Sequence, residues 1–447
     1  MSEHEGGLAK LLRRVVDVHR GEFAALVLSC AYFFCILTSY YVLRPVRDQL
    51  GLVGGQEDLA HNFTGTLFAM LLANPLYAWI VTRWPRKRFI PFVYRFFIAN
   101  LLVFFALMRF GPAEWQIWMS RVFFVWVSVF NLFIVAVFWS LLADLFTLEQ
   151  GKRLFGLVSV GGSLGAICGS SLTALLAKPL GPVNLLLVSA VLLEVAVWVM
   201  RALTRAKSKP EETVRPARRA LPEDADQGGV LSGIALVFRS PYLAWICLYM
   251  LLGSIAGTIL YFEQAAVVRA SITDAAERTA VLARIDLVVN IVALSIQLFL
   301  TGRIVKKIGI GPTLAIQCTV FGLALAWIGI SPALFVVAGG MALFRVGHYA
   351  TSRPAREALF TVVGREAKYK SKGFIDTFVY RFGDVVGAWL KVGLGSIGGL
   401  GTQGIALASL PIAVAWAGVG VILGRKQKAL IRRQEEAAPL PAEAPGR

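Results

Sequence analysis

TRAKSKPEETVRPARRALPEDADQGG, residues 204–229, divides this 447-residue chain. The stretch carries Pro210, Pro216 and Pro222, dense charge of both signs and no apolar periodicity. That is the composition of a solvated linker. On either side the chain changes character. Apolar blocks of about 20 residues recur, the length that crosses a ~30 Å hydrocarbon layer at ~1.5 Å per residue. Six blocks precede the linker, at 22–42, 59–82, 89–109, 115–143, 155–177 and 181–203. Six follow it, at 240–262, 280–301, 311–330, 332–350, 374–396 and 402–424.

Composition agrees. Hydrophobic residues make up 57% of the chain and charged residues only 16%, against about a quarter charged in ordinary soluble domains. The fold class this implies is all-α and polytopic, with about twelve transmembrane helices in two six-helix bundles. The expected parts are an N-terminal bundle over 1–203 that begins with a cytoplasmic amphipathic segment, a charged cytoplasmic linker over 204–239 and a C-terminal bundle over 240–424. A tail over 425–447, basic and then rich in Pro, Ala and Glu, completes the chain. No cleavable signal peptide is expected, because residues 1–21 are polar and the first apolar block is long enough to span.

The net charge of +18 has a membrane explanation. With the N-terminus cytoplasmic, 33 of the 45 Lys and Arg lie in or beside the tails and alternate loops, seven on the opposite side and five within spans. This asymmetry puts both termini in the cytoplasm and the chain in a cell inner membrane. It accounts for the basic excess without nucleic acid, for which no aromatic–basic module is present. The expected working unit is a monomer. Cys30, Cys35, Cys168, Cys247 and Cys318 all lie in apolar blocks and read as small hydrophobes. Asn62, in a glycosylation sequon, opens an apolar block and is discounted.

Charges inside spans cost about 2.5–3.5 kcal/mol each on insertion scales, which makes them candidates for function. The eleventh block, FIDTFVYRFGDVVGAWLKVG, is the densest. At 100° per residue Asp376, Arg381, Asp384 and Lys391 share one 140° arc, so a mutually satisfied ion network is expected there, either locking the helix or gating it. Arg95, Arg121, Arg345, Glu194 and Asp286 are isolated; each faces a cavity or pairs locally. His348 is expected to make an ordinary polar contact. In the fifth block Gly161, Gly165 and Gly169 line one face and predict close helix packing.

The halves also echo each other. RWPRKR (83–88) follows the second block and GRIVKKIG (302–309) follows the eighth. With six plus six spans and a charged linker, these resemble the basic inter-span loops of the major facilitator superfamily. That resemblance implies two bundles rocking about a site between them. A finer likeness follows. Residues 347–376 supply Pro354, the pair Arg356–Glu357, Phe360, then Lys370, Lys372–Gly373 and Asp376. The first block ends with Tyr40, Leu43, Arg44, Arg47, Asp48 and Leu50, similar to a pattern Y-x-x-L-R-x-x-K-D-x-L. Both stretches resemble the ATP/ADP translocase family, the NTP/NDP-exchanging nucleotide transporters of plastids and intracellular bacteria.

The resemblance implies a secondary-active transporter for an organic anion such as a nucleotide or another phosphorylated metabolite. It places substrate binding on Arg47, Glu263 and Arg356, with Glu263 competing for one of the arginines. Asp48 would orient Arg47, and Lys372, Asp376, Arg381, Asp384 and Lys391 would couple occupancy to rocking. Arg44 is expected to be a helix-end residue at the membrane surface. The family's acid in the fourth span has no counterpart here; Asn131 stands nearby. Exchange and proton symport both remain open, as does proton-coupled transport of a non-nucleotide solute. A membrane sensor or enzyme is the other class. Against an enzyme, the four histidines do not cluster at metal-ligand spacing and no nucleophile elbow is visible. No Walker sequence occurs, and Gly393–Gly398, which matches G-x-G-x-x-G, follows an apolar helix with no strand. No cofactor and no metal are expected.

Overall fold

The computed structural model describes residues 22–83, 86–207, 236–237 and 239–436. The N-terminal segment, most of the linker and the Pro/Ala/Glu-rich end lie outside the described residues. Among the described residues every regular element is helical. The helices are α1 (Phe23–Gly51), α2 (Gly55–Arg83), α3 (Arg86–Phe110), α4 (Gln116–Leu145), α5 (Leu148–Leu180) and α6 (Leu185–Lys207). After the linker come α7 (Pro241–Ser271), α8 (Ala275–Phe299), the short α9 (Thr301–Ile308), α10 (Ile310–Ile330) and α11 (Leu334–Gly347). Then follow α12 (Arg353–Leu359), α13 (Arg365–Phe374), α14 (Tyr380–Ser396), α15 (Thr402–Ala408) and α16 (Leu410–Glu436).

Ten of these stretches are long and apolar enough to cross a membrane. The second and eleventh blocks are also long helices, but more polar ones. The first two turns of α2 hold Glu57, Asp58, His61 and Asn62, and the eleventh block holds its four charges. Large apolar side chains such as Phe68, Leu72, Phe92, Trp198, Leu323 and Phe335 are exposed. An apolar exterior of this kind suits a lipid environment rather than water.

Two helices contain one widened turn. A π-turn at His348–Ser352 joins α11 to α12, and another at Ile375–Val379 joins α13 to α14. Each makes a continuous helical rod of what would otherwise be two helices. Such turns fit one extra residue into the ladder, and they concentrate at functional sites.

The chain groups into two compact units. The first is residues 1–216 with 268–291; the second is 217–267 with 292–447. The end of α7 and the first part of α8 thus belong with the first unit. In that unit α1 is the central element, packed on α4, α5 and α6. The glycine face of α5 makes this possible. A Cβ at Gly161 would lie 2.6 Å from the Cys30 carbonyl oxygen and one at Gly169 2.5 Å from that of Thr38; one at Gly165 would run into the Phe34 carbonyl. Only hydrogen fits at those three positions, so the backbones of α1 and α5 touch as expected. Ser39 and Ser189 share a hydroxyl bond of 2.7 Å between α1 and α6, and Tyr32 donates to Tyr94 at 2.6 Å.

The second unit repeats the device. Gly387 of α14 brings its missing Cβ within 2.9 Å of the Ile255 oxygen on α7, and Gly311 of α10 approaches Gly424 of α16. Its core centres on Trp416, packed against Tyr249, Phe321 and Phe344.

Candidate substrate-binding clusters

α1 does not stop where its apolar block stops. It runs on to Gly51, through Pro45, so Arg44 and Arg47 sit inside the helix rather than capping it. The reason is local charge balance. Asp48 lies one residue after Arg47 and one turn after Arg44. Arg47 donates to Asp48 Oδ1 through Nε at 2.9 Å and Nη2 at 2.6 Å. Its guanidinium also stacks over the Phe124 ring at 4.9 Å, a cation–π contact. The side chain is 14% exposed. Asp48 is thus the carboxylate that holds the Arg47 guanidinium in place.

Arg44 does not match its expectation. It is largely buried, not solvated at a surface, and its Nε lies 3.7 Å from Asp286 Oδ2 and 4.0 Å from Asp48 Oδ2. Asp286 is on α8 and 2% exposed. Four groups thus form one cluster in the first unit: two guanidiniums and two carboxylates, Arg44, Arg47, Asp48 and Asp286.

The second unit builds a cluster around the two π-turns. Arg356 on α12 is 11% exposed, with Nη2 3.7 Å from Asp376 Oδ1. Its Nη1 points at the Met250 sulfur at 3.1 Å. Lys372 on α13 holds Glu357 Oε2 at 2.6 Å. Arg353, Arg356 and Lys372 all act electrostatically on Asp376. Arg345, Arg353 and Arg356 all direct positive charge at His348. Arg353, Arg356 and Lys372 are three cations; Glu357 and Asp376 are two carboxylates.

The one-arc network expected along the eleventh block forms only in part, at Arg381 and Asp384. Asp376 pairs with Arg356 on another helix, whereas Arg381 Nη1 pairs with Asp384 Oδ2 at 3.1 Å. Asp384 Oδ1 also accepts from Ser254 Oγ at 2.5 Å and Thr258 Oγ1 at 3.1 Å on α7. Lys391 has Glu263 as an electrostatic partner. The physical cause is the π-turn at 375–379, which breaks the 100° count between Asp376 and the residues after it. Glu263 is fully buried on α7. Its oxygens make no hydrogen bond of ordinary geometry among the described residues, although the Lys391 ammonium and the Thr402 hydroxyl are its neighbours. The cation that Glu263 meets in its own unit is therefore Lys391, not Arg356.

The remaining isolated charges pair locally. Arg95 holds Glu194 at 2.8 Å, and Trp198 Nε1 donates to the same oxygen at 3.0 Å. Arg121 holds Asp58 at 2.6 Å. Among the described residues no group of His, Cys, Asp or Glu is arranged to hold a metal ion. Sequence reading missed the Arg44–Asp286 and Glu263–Lys391 partnerships. Each joins residues remote in sequence, and the available signal was a charge in or at the edge of an apolar block.

Arginine-bearing, mutually packed long helices in two similar units suit a carrier, and comparison with known proteins decides the family. The sequence model described as Major Facilitator Superfamily matches residues 23–388. The chain belongs to the major facilitator superfamily. As a member it is a membrane transporter, not an enzyme. It is also similar to "ADP,ATP carrier protein 1" of Chlamydia pneumoniae, at 21% identity over 92% of this chain and 93% of that protein. Solved facilitator structures share the fold. The nucleoside transporter NupG superposes with a TM-score of 0.56 at 14% identity, covering 93% of this chain and 100% of NupG. A POT family transporter in complex with 5-aminolevulinic acid gives 0.63 at 12% identity, covering 90% and 96%.

Proposed function

We propose that this facilitator carries an organic anion, a nucleotide or another phosphorylated metabolite, by alternating access. The observation that supports this most is Arg356. Among the described residues its nearly buried guanidinium is held by a 3.7 Å carboxylate contact and a thioether, with Arg353 and Lys372 beside it. A phosphate or carboxylate offers arginine a shorter, two-pronged partner than either. The named cations there outnumber the named carboxylates, so an incoming anion improves the charge balance. The relative named as an ADP,ATP carrier points the same way.

Arg47 and Arg356 bind the cargo's negative groups, and Glu263 acts through Lys391. Asp384, Arg381, Lys372 and Asp376 link cargo binding to helix movement, with Asp48 orienting Arg47. The protein works as a monomer in a cell inner membrane, with both termini cytoplasmic.

The test is a thermal-unfolding screen of the purified full chain with ATP, ADP, inorganic phosphate and the neutral nucleoside uridine. Uptake of labelled ATP into proteoliposomes follows. Stabilisation by the anions, and uptake lost in Arg356→Ala, are expected. Stabilisation by uridine alone overturns the reading. Exchange is separated from proton symport by asking whether uptake needs nucleotide inside the vesicle or a pH gradient.

A further inference from the structure

Polar contacts tie residues 268–291, the end of α7 and most of α8, to the rest of the first unit. Lys178 meets Glu277 at 2.5 Å, Arg269 Nη2 donates to the Val53 oxygen at 3.4 Å, and Asn290 Nδ2 donates to Ser170 Oγ at 3.3 Å. Arg44 meets Asp286 at 3.7 Å. The first three contacts are exposed or long. Lys178 and Glu277 are 51% and 36% exposed, and pairs of that kind contribute little. Asp286 is different. It is buried, and the cation it meets belongs to the arginine pair next to which α1 ends.

The Arg44–Asp286 geometry is that of an ion pair without a hydrogen bond, since 3.7 Å exceeds hydrogen-bond range. A phosphate can approach a guanidinium to ~2.7–2.9 Å and engage two of its N–H groups. For the same arginine, phosphate therefore outcompetes Asp286. Losing the Arg44 contact leaves Asp286, which is 2% exposed, less well compensated for its burial. Moving α8 off α1 would let water make up the difference.

We propose that Asp286 stands in for the cargo's negative group at Arg44, and that cargo displaces it and so releases residues 268–291 from the first-unit helices. The inference rests on the anion reading above and extends it. Arg44 becomes a cargo-binding residue, and Asp286 becomes the group that couples binding to helix release. Reciprocity follows from linkage: by whatever factor the Asp286 contact weakens anion binding, the anion weakens the contact.

The experiment uses the full chain in nanodiscs and proteoliposomes, with ATP as probe. Hydrogen–deuterium exchange of peptides from 268–291 reports the hairpin, and labelled ATP uptake reports transport. In the wild type, ATP is expected to raise exchange in this segment. In Asp286→Asn, exchange should be raised before ATP is added and ATP should add little. KM for ATP should fall about fivefold or more, the low end of coupling between linked sites. Asp286→Glu keeps the charge and should keep the segment protected.

Unchanged exchange and unchanged KM in Asp286→Asn overturn the proposal. Equal loosening in Asp286→Asn and Asp286→Glu also overturns it, because packing rather than charge is then responsible. If the wild type neither binds nor moves ATP, the anion reading fails on its own. The exchange difference between Asp286→Asn and Asp286→Glu still decides the contact: present, it supports the tie through charge; absent, it removes it.

Discussion

The two arginine clusters are built from the same materials and reach different balances. In the first unit Arg44 and Arg47 have Asp48 and Asp286 among their partners. In the second, Arg353, Arg356 and Lys372 face Glu357 and Asp376. The contact lengths differ as well. Arg47 is gripped twice below 3 Å by its neighbour, whereas Arg356 has a carboxylate only at 3.7 Å. On the proposed reading the first cluster supplies its own anion and the second takes one from the cargo. A carrier needs both properties, because an arginine with no internal substitute cannot be emptied easily, and one with a perfect substitute never binds.

The comparison can be broken most severely at Arg356. Arg356→Ala removes the guanidinium on which the second cluster turns. Loss of charge-assisted hydrogen bonds worth about 1.5–3 kcal/mol lowers kcat/KM for ATP uptake by about 10- to 150-fold. Arg356→Lys loses less, since the charge remains and only the fork is gone. Next in size is Asp48→Asn, which strips Arg47 of both its short bonds. Thermal unfolding should show a loss of about 1–3 kcal/mol, and added ATP should recover more stability than it gives the wild type.

The difference can also be erased from the other direction. Ser352 is buried one turn before Arg356, so Ser352→Asp places a carboxylate at i, i+4 from it. The second cluster then carries its own anion like the first. KM for ATP should rise about tenfold, the equivalent of ~1.4 kcal/mol, which steady-state uptake would detect. The smallest effect belongs to a pair outside both clusters. Arg95 is 49% exposed, and Glu194→Gln should change stability by less than about 1 kcal/mol and leave uptake kinetics as they were.

Much of the fold was legible because the bilayer imposes block length. The α5 glycine face was equally legible, since a four-residue repeat of glycine has few uses other than contact. Helix ends were not. The apolar block of α1 closes near residue 42, but the helix reaches Gly51 because Asp48 neutralises two arginines from within. Hydropathy sees where oil stops, not where hydrogen bonding stops. The site was half legible. Arg47, Asp48 and Arg356 could be named from family likeness, but their cross-chain neighbours were invisible. Nothing local in sequence announces that Asp286 belongs to Arg44 or Lys391 to Glu263.

The widened turn at Ile375–Val379 makes the eleventh rod behave as two propeller shafts joined by a fixed phase offset. Cutting a single residue from it should rewind the rod into a uniform spiral. The turn already absorbs one extra residue, so the lengths of helix on either side would keep their facing. Asp384 would stay on the hydroxyls of Ser254 and Thr258, and Gly387 would still present its bare side to Ile255. A one-codon deletion there should therefore be far better tolerated than the same cut in the regular turns of Tyr380–Ser396, which would swing the remainder by ~100°.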